Sequence, residues 1–183
     1  ITLRLNEGYV WPDGTETDKT IQWKIQPMKV KAPAAVTGLI YNGETLTGVA
    51  AGEGCTLEGE FKAVTAGEYT AAAKLTNTAN YQWDDGTTED KTIVWSIGEK
   101  TPAVSDFAVT YPRSEDLVYN GNAKEVTAEL SDSYPAQDIT LTVVYTNADG
   151  IAVEEPTNAG TYTVKLRVSG SSNFAAAELA LDD

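Results

Sequence analysis

Two stretches of this chain are copies of one another, which restricts it to a fold built by repetition. YVWPDGTETDKTIQWKI occupies residues 9–25 and YQWDDGTTEDKTIVWSI residues 81–97, an offset of 72 with 11 of 17 positions identical and no gap. A second pair joins the middle to the end: AGEYTAAAKLTNTANY at residues 66–81 and AGTYTVKLRVSGSSNF at residues 159–174, an offset of 93. LIYNG at residues 39–43 returns as LVYNG at residues 117–121, an offset of 78. The third copy therefore carries 15 more residues between its YNG and AG landmarks.

Three segments follow. Residues 1–26 are the back part of one repeat, expected as a β-hairpin. Residues 27–99 form a complete repeat, and residues 100–183 a longer variant without the Trp hairpin. Pro27, Pro33 and Pro102, with Lys and Glu beside them, mark junctions that read as exposed connectors.

Alternation sets the secondary structure. Ile93, Trp95 and Ile97 alternate with Thr92, Val94 and Ser96, the period of a strand with one inward face. Tyr81 and Trp83 lead into DDGTTED before that strand, so a hairpin is expected there, and Trp11, Asp13, Gly14 and Trp23 repeat the pattern. Tyr69, Ala71, Ala73 and Leu75 share one strand face, as do Tyr162, Val164, Leu166 and Val168. In the third segment Ile139, Leu141, Val143 and Tyr145 alternate, NADG turns, and residues 151–155 return. Short strands at regular spacing with Gly-rich turns point to an all-β sandwich or barrel.

Composition removes several function classes. The net charge of −14 repels phosphate backbones and anionic membrane surfaces, so nucleic acid and membrane are not expected partners. No histidine is present, which rules out a Ser-His-Asp or Cys-His arrangement. The single cysteine, Cys55, allows no internal disulfide and shares strand parity with Leu57 and Phe61, as a buried apolar thiol would. No apolar run has the length of a membrane span and no signal peptide is visible, so an export signal or wall anchor is expected outside these residues.

The AG-x-Y step resembles the strand start at which a tyrosine corner closes Ig-type sandwiches. The position two after that Tyr is Ala71 or Val164 rather than the Cys of antibody domains. With LxYNG and YxWxDGTxxDKTIxWxI, the chain resembles bacterial Ig-like repeats of the MBG type, which occur in tandem in large secreted or wall-anchored proteins of Gram-positive bacteria. The resemblance covers nearly the whole chain and implies tandem Ig-like β-sandwich modules at the cell surface or secreted. It implies no catalytic residues.

Candidate chemistry is correspondingly thin. The acidic loops at residues 13–18 and 84–90 have carboxylates for a hard cation but not calcium-loop spacing, and they read as solvated Asp-Gly-Thr turns. Glu154 and Glu155 are adjacent and so point to opposite strand faces, unlike a glycosidase pair. Trp11, Trp23, Trp83 and Trp95 could stack on sugar, but strand parity assigns them to the core. Lys74 and Lys165 oppose the Tyr face, which disfavours a Lys-Asn cross-link.

The expectation is therefore a non-catalytic spacer or display segment with no catalytic, cofactor or metal residues, partnered by neighbouring repeats. The alternative is an adhesin module for host glycan or surface protein. The apolar face of residues 1–26 is expected to dock on a neighbouring sheet edge, because two exposed Trp and two exposed Ile would be unfavourable in water.

Overall fold

A computed structural model describes residues 1–181. The protein is all-β, with strands in several small sheets and two short 3₁₀ turns. The strands are β1 (Thr2–Leu3), β2 (Lys19–Thr20), β3 (Met28–Val30), β4 (Leu39–Ile40), β5 (Leu46–Thr47), β6 (Cys55–Gly59), β7 (Lys62–Ala63) and β8 (Gly67–Leu75). They continue with β9 (Tyr81–Trp83), β10 (Lys91–Gly98), β11 (Phe107–Thr110), β12 (Thr127–Leu130), β13 (Leu141–Asn147), β14 (Ala152–Val153), β15 (Tyr162–Val168) and β16 (Ala177–Ala180).

The middle segment centres on a sheet ordered β4-β10-β8-β6. Its alternation is the one read from the sequence: Ile93, Trp95 and Ile97 are buried, while Thr92, Val94 and Ser96 face out. Across the sheet Trp95 pairs with Tyr69 and Ile93 with Ala71. Their burial, with Val30, Tyr41, Val49, Ala73 and Trp83, makes one hydrophobic cluster. The expected hairpin between residues 81–83 and β10 is not formed. β9 instead pairs in parallel with β3, Val30 opposite Trp83, and β10 pairs with β8 and β4. The loop between β9 and β10 is seven residues long, which lets the chain change sheets instead of folding back on itself.

The third segment repeats the plan in a sheet ordered β14-β13-β15-β16, around Phe107, Val126, Tyr145, Leu166, Val168 and Leu181. The NADG turn closes as expected: Tyr145 pairs with Val153, and Gly150 N–H donates to Asn147 O at 2.9 Å. Both AG-x-Y tyrosines reach back four residues. Tyr69 Oη donates to Thr65 O at 2.6 Å and Tyr162 Oη to Asn158 O at 2.7 Å.

The two segments fill their interiors from opposite strands. Tyr145, opposite Val164 in the β13–β15 ladder, stands at the register position of Gly59, opposite Ala71 in β6–β8. The Tyr145 ring is buried, and its hydroxyl takes the Val126 N–H at 2.7 Å. Val126 answers to Gly48 in the YNG alignment, and at Gly48 a Cβ would lie 1.9 Å from the Trp95 ring. Trp95 over Gly48 thus stands where the third segment has Tyr145 beside Val126.

The junction is not an exposed connector. Lys100 N–H donates to Asn173 O at 2.8 Å, and Lys100 O accepts from Ala175 N–H at 3.0 Å. This parallel bridge to Phe174 repeats the β3–β9 pairing. Pro102 is buried. Phe174 sits within the middle segment's cluster, edge-on to Tyr41 at 5.5 Å and to Tyr134 at 5.2 Å between ring centroids. Asn173 Nδ2 donates to Gln137 Oε1 at 2.7 Å, and Gln137 Nε2 donates to Tyr41 Oη at 3.0 Å. The buried Asp106 carboxylate closes the seam. It takes the Tyr134 hydroxyl at 2.7 Å and the Ala103 N–H at 2.8 Å, and pairs with Lys100 Nζ at 3.3 Å. Every buried side-chain polar atom in this seam has a hydrogen-bond partner, as a stable packed contact requires.

Residues 1–26 differ from the expected docked hairpin. β1 pairs with β2, Leu3 opposite Lys19, and residues 21–26 form no strand. Ile21, Trp23 and Ile25 are 49%, 70% and 78% exposed, whereas their copies Ile93, Trp95 and Ile97 are 9%, 3% and 2% exposed. The apolar face is present, but no part of the described chain covers it.

Candidate functional site

The duplicated motif contains a self-contained loop, in which the shared Trp, Asp, Gly, Thr and Lys each have a local role. In both copies the Trp indole N–H donates to a carbonyl six residues on, Trp11 to Thr17 at 2.8 Å and Trp83 to Glu89 at 2.7 Å. Gly14 and Gly86 adopt φ of +79° and +84°, the left-handed turn that favours glycine. Asp85 Oδ1 accepts from Thr87 N–H at 2.9 Å and Thr87 Oγ1 at 2.6 Å, and Oδ2 pairs with Lys91 Nζ at 2.7 Å. Asp13 does the same with Thr15 and Lys19. The Lys19 and Thr15 hydrogen bonds hold the Asp13 carboxyl down at about 2, and those from Lys91 and Thr87 hold Asp85 lower still. Both oxygens of each Asp thus already have protein donors. Among the described residues no group of three or more acidic or Cys side chains is placed to hold a metal ion.

The remaining candidates are dispersed. Trp83 and Trp95 are core residues, Trp11 is half-buried, and only Trp23 departs strongly from its core assignment. Lys74 pairs with Glu58 at 2.6 Å and Asp90 at 3.6 Å, and Lys165 with Glu178 at 2.8 Å, all at the surface rather than in an apolar core. Glu154 and Glu155 are both exposed. Cys55 is buried with Sγ 3.5 Å from Gly52 O.

One concavity was not anticipated from the sequence. It is a groove of about 700 Å³ in the third segment, between residues 117–119 on one side and the start of β15 on the other. Tyr145 and Val126 lie at its base with Leu181, and the half-buried Tyr162 ring lines its wall. Burial pushes the Tyr145 phenol above its ordinary value. Lys124 is the one charged side chain lining it among the described residues. In the middle segment the same place is closed: Ile97 and Gly98 of β10 pair in parallel with β4, and Tyr41 N–H donates to Gly98 O at 3.0 Å. Among the described residues the third segment's counterparts have no strand partner, with Leu117, Val118 and Tyr119 at 59%, 69% and 62% exposed. β16 lies on β15 in the register that β10 takes on β8, with Ala180 opposite Lys165 as Thr92 is opposite Ala72. Chemically the groove presents aromatic faces, apolar side chains and one ammonium.

Compared with family models, curated proteins and solved structures, the chain matches none. No helix among the described residues is long and apolar enough to cross a membrane.

Proposed function

We propose that this chain is a non-catalytic segment of tandem Ig-like β-sandwich modules, acting as a spacer or display stalk of an extracellular bacterial protein. The observation that carries the reading is the seam around Phe174. A linker that only tethers needs no buried bonds, whereas a spacer that holds a distance must fix the angle between successive units. Phe174, Asn173 and Asp106 supply apolar contact, shared hydrogen bonds and an ion pair at that one place. The net charge of −14 supports the same role by keeping an extended chain soluble and self-repelling.

The test is a distance measurement. Spin labels on the exposed Thr78 and Asp149, one on each side of the seam, should give a single narrow distance distribution in solution. A broad distribution would rule out a distance-holding spacer. A glycan array probed with the same chain separates the rival adhesin reading, since saturable binding to a defined glycan would replace the spacer role.

A further inference from the structure

Two tyrosines from different segments face one another across the seam. Tyr41 follows β4 and Tyr134 lies in the loop after β12, and their rings stack with centroids 6.0 Å apart and planes inclined by 27°. We propose that Tyr41 and Tyr134 form an oxidative modification site, at which a one-electron oxidant joins the two rings as a dityrosine and makes the seam covalent. The inference rests on the packed seam and not on the spacer role.

The geometry selects this pair. Phe174 stands edge-on to both rings, 5.5 Å from Tyr41 and 5.2 Å from Tyr134, and holds them as neighbours. The turn after Tyr41 closes the approach, since a Cβ at Gly43 would lie 3.2 Å from the Tyr134 ring. Tyr134 is half-buried and open to an oxidant, whereas Tyr41 is buried, so a radical on Tyr134 has a fixed phenol beside it. Tyr69 also stacks, at 4.8 Å, but on Trp95. Among the described residues no other two tyrosine rings stack. Each copy carries −14, which opposes encounter between molecules and favours coupling within one.

The chemistry starts at Tyr134. A phenol gives up an electron most readily when its proton leaves at the same time, which needs a base on the hydroxyl. Tyr134 Oη donates to Oδ1 of the buried Asp106 at 2.7 Å. Tyr69 and Tyr162 donate to backbone carbonyls instead, which are far weaker bases. Burial and the Asp106 charge push the Tyr134 phenol up to about 12, so it is oxidised from its protonated form. The oxidant takes one electron, Asp106 takes the proton, and a neutral phenoxyl remains. A second equivalent of oxidant takes an electron from Tyr41, whose hydroxyl proton leaves to water. The two phenoxyls bond through ring carbons ortho to oxygen, and each ortho hydrogen then moves to its own oxygen. Two electrons and two protons leave in all, and both phenols are restored.

Photo-oxidation of the full chain tests this, with a ruthenium tris-bipyridine complex and persulfate generating the one-electron oxidant. At micromolar concentration the monomer should gain dityrosine fluorescence and lose two hydrogen atoms in mass. Trypsin should then release residues 32–62 joined to residues 125–165, with fragment ions placing the bond at Tyr41 and Tyr134. Tyr41→Phe and Tyr134→Phe should each abolish that product, whereas Tyr119→Phe, at an exposed ring, should leave it unchanged. Asp106→Asn keeps an acceptor but removes the base, so the link should form on the order of 100-fold more slowly. Its rate should rise with buffer base, because the proton must then go to solvent, and the unchanged chain should show no such dependence. A monomer without dityrosine overturns the proposal, as does a bond at other tyrosines in its place. A rate that follows buffer base in the unchanged chain overturns the role of Asp106. A narrow spin-label distance distribution with no link overturns this proposal and leaves the spacer role standing.

Discussion

Asn173 and Ala66 stand 107 positions apart, and Asn173 Oδ1 accepts the Ala66 backbone N–H at 2.7 Å. The same side chain donates from Nδ2 to Gln137 at 2.7 Å. Asn173→Ala leaves the half-buried Ala66 N–H and Gln137 side-chain carbonyl without their partner, and should cost about 2 kcal/mol in denaturant unfolding. Because the Ala66 bond spans the seam, calorimetry of the variant should also resolve two transitions where the parent melts more cooperatively. A loss below about 0.5 kcal/mol with an unchanged thermogram would mean the seam does not couple the segments.

Trp95 and Gly48 are bound by volume. Trp95→Ala should cost about 3–5 kcal/mol. Gly48→Ala places a methyl 1.9 Å from the Trp95 ring and should cost about 2 kcal/mol or more through overpacking. In the Trp95→Ala background that methyl has room, so the second substitution should be nearly neutral. A double-mutant cycle reads the coupling directly, and additive losses would refute the close approach.

Proton linkage separates two sites. Burial and the Asp106 carboxylate push the Tyr134 phenol up to about 12. Its contribution to stability is complete below the ordinary value of about 10 and falls away as pH rises from there to about 12. Tyr134→Phe should flatten melting temperature across that window. Asp85 behaves in the opposite sense: its lowered value means stability present above the ordinary carboxylate range and lost as pH falls below it. Asp85→Asn should lower the melting temperature at pH 7 and weaken its acid dependence.

Trypsin distinguishes a tied junction from a loose one. Lys24 lies in exposed, unpaired chain, whereas Lys100 is hydrogen-bonded on both sides of its peptide unit and ion-paired to Asp106. Cleavage after Lys24 should therefore run well ahead of cleavage after Lys100. Early scission after Lys100 would show the junction to be open in solution.

What the sequence disclosed was local, and what it withheld was pairing. The period of two placed Ile93, Trp95 and Ile97 inward, because alternation is intrinsic to a strand. The Asp-Gly-Thr turns were legible for the same reason, since their bonds lie within a few residues. The partner of Trp83 was not. Asp-Gly implied return to the neighbouring strand, but Val30, more than fifty residues upstream, was the better match, and that choice is made by the whole core. Trp23 was misassigned because parity says which way a side chain faces and nothing about whether anything faces it. The exchange of Gly59 for Tyr145 was missed because it is visible only once the ladders are in register.

The parallel pairing of β4 with β10 has a mechanical consequence. A pull on the two ends of residues 27–99 draws the start of one strand and the finish of the other in opposite directions along a common axis. The bonds at Leu39, Ile40, Tyr41, Ile97 and Gly98 are then loaded together in shear instead of being unzipped one at a time. The parallel bridge of Lys100 to Phe174 places the next segment's entry under the same kind of load. A chain strung this way should therefore break these bonds together, rather than in sequence, when it is stretched.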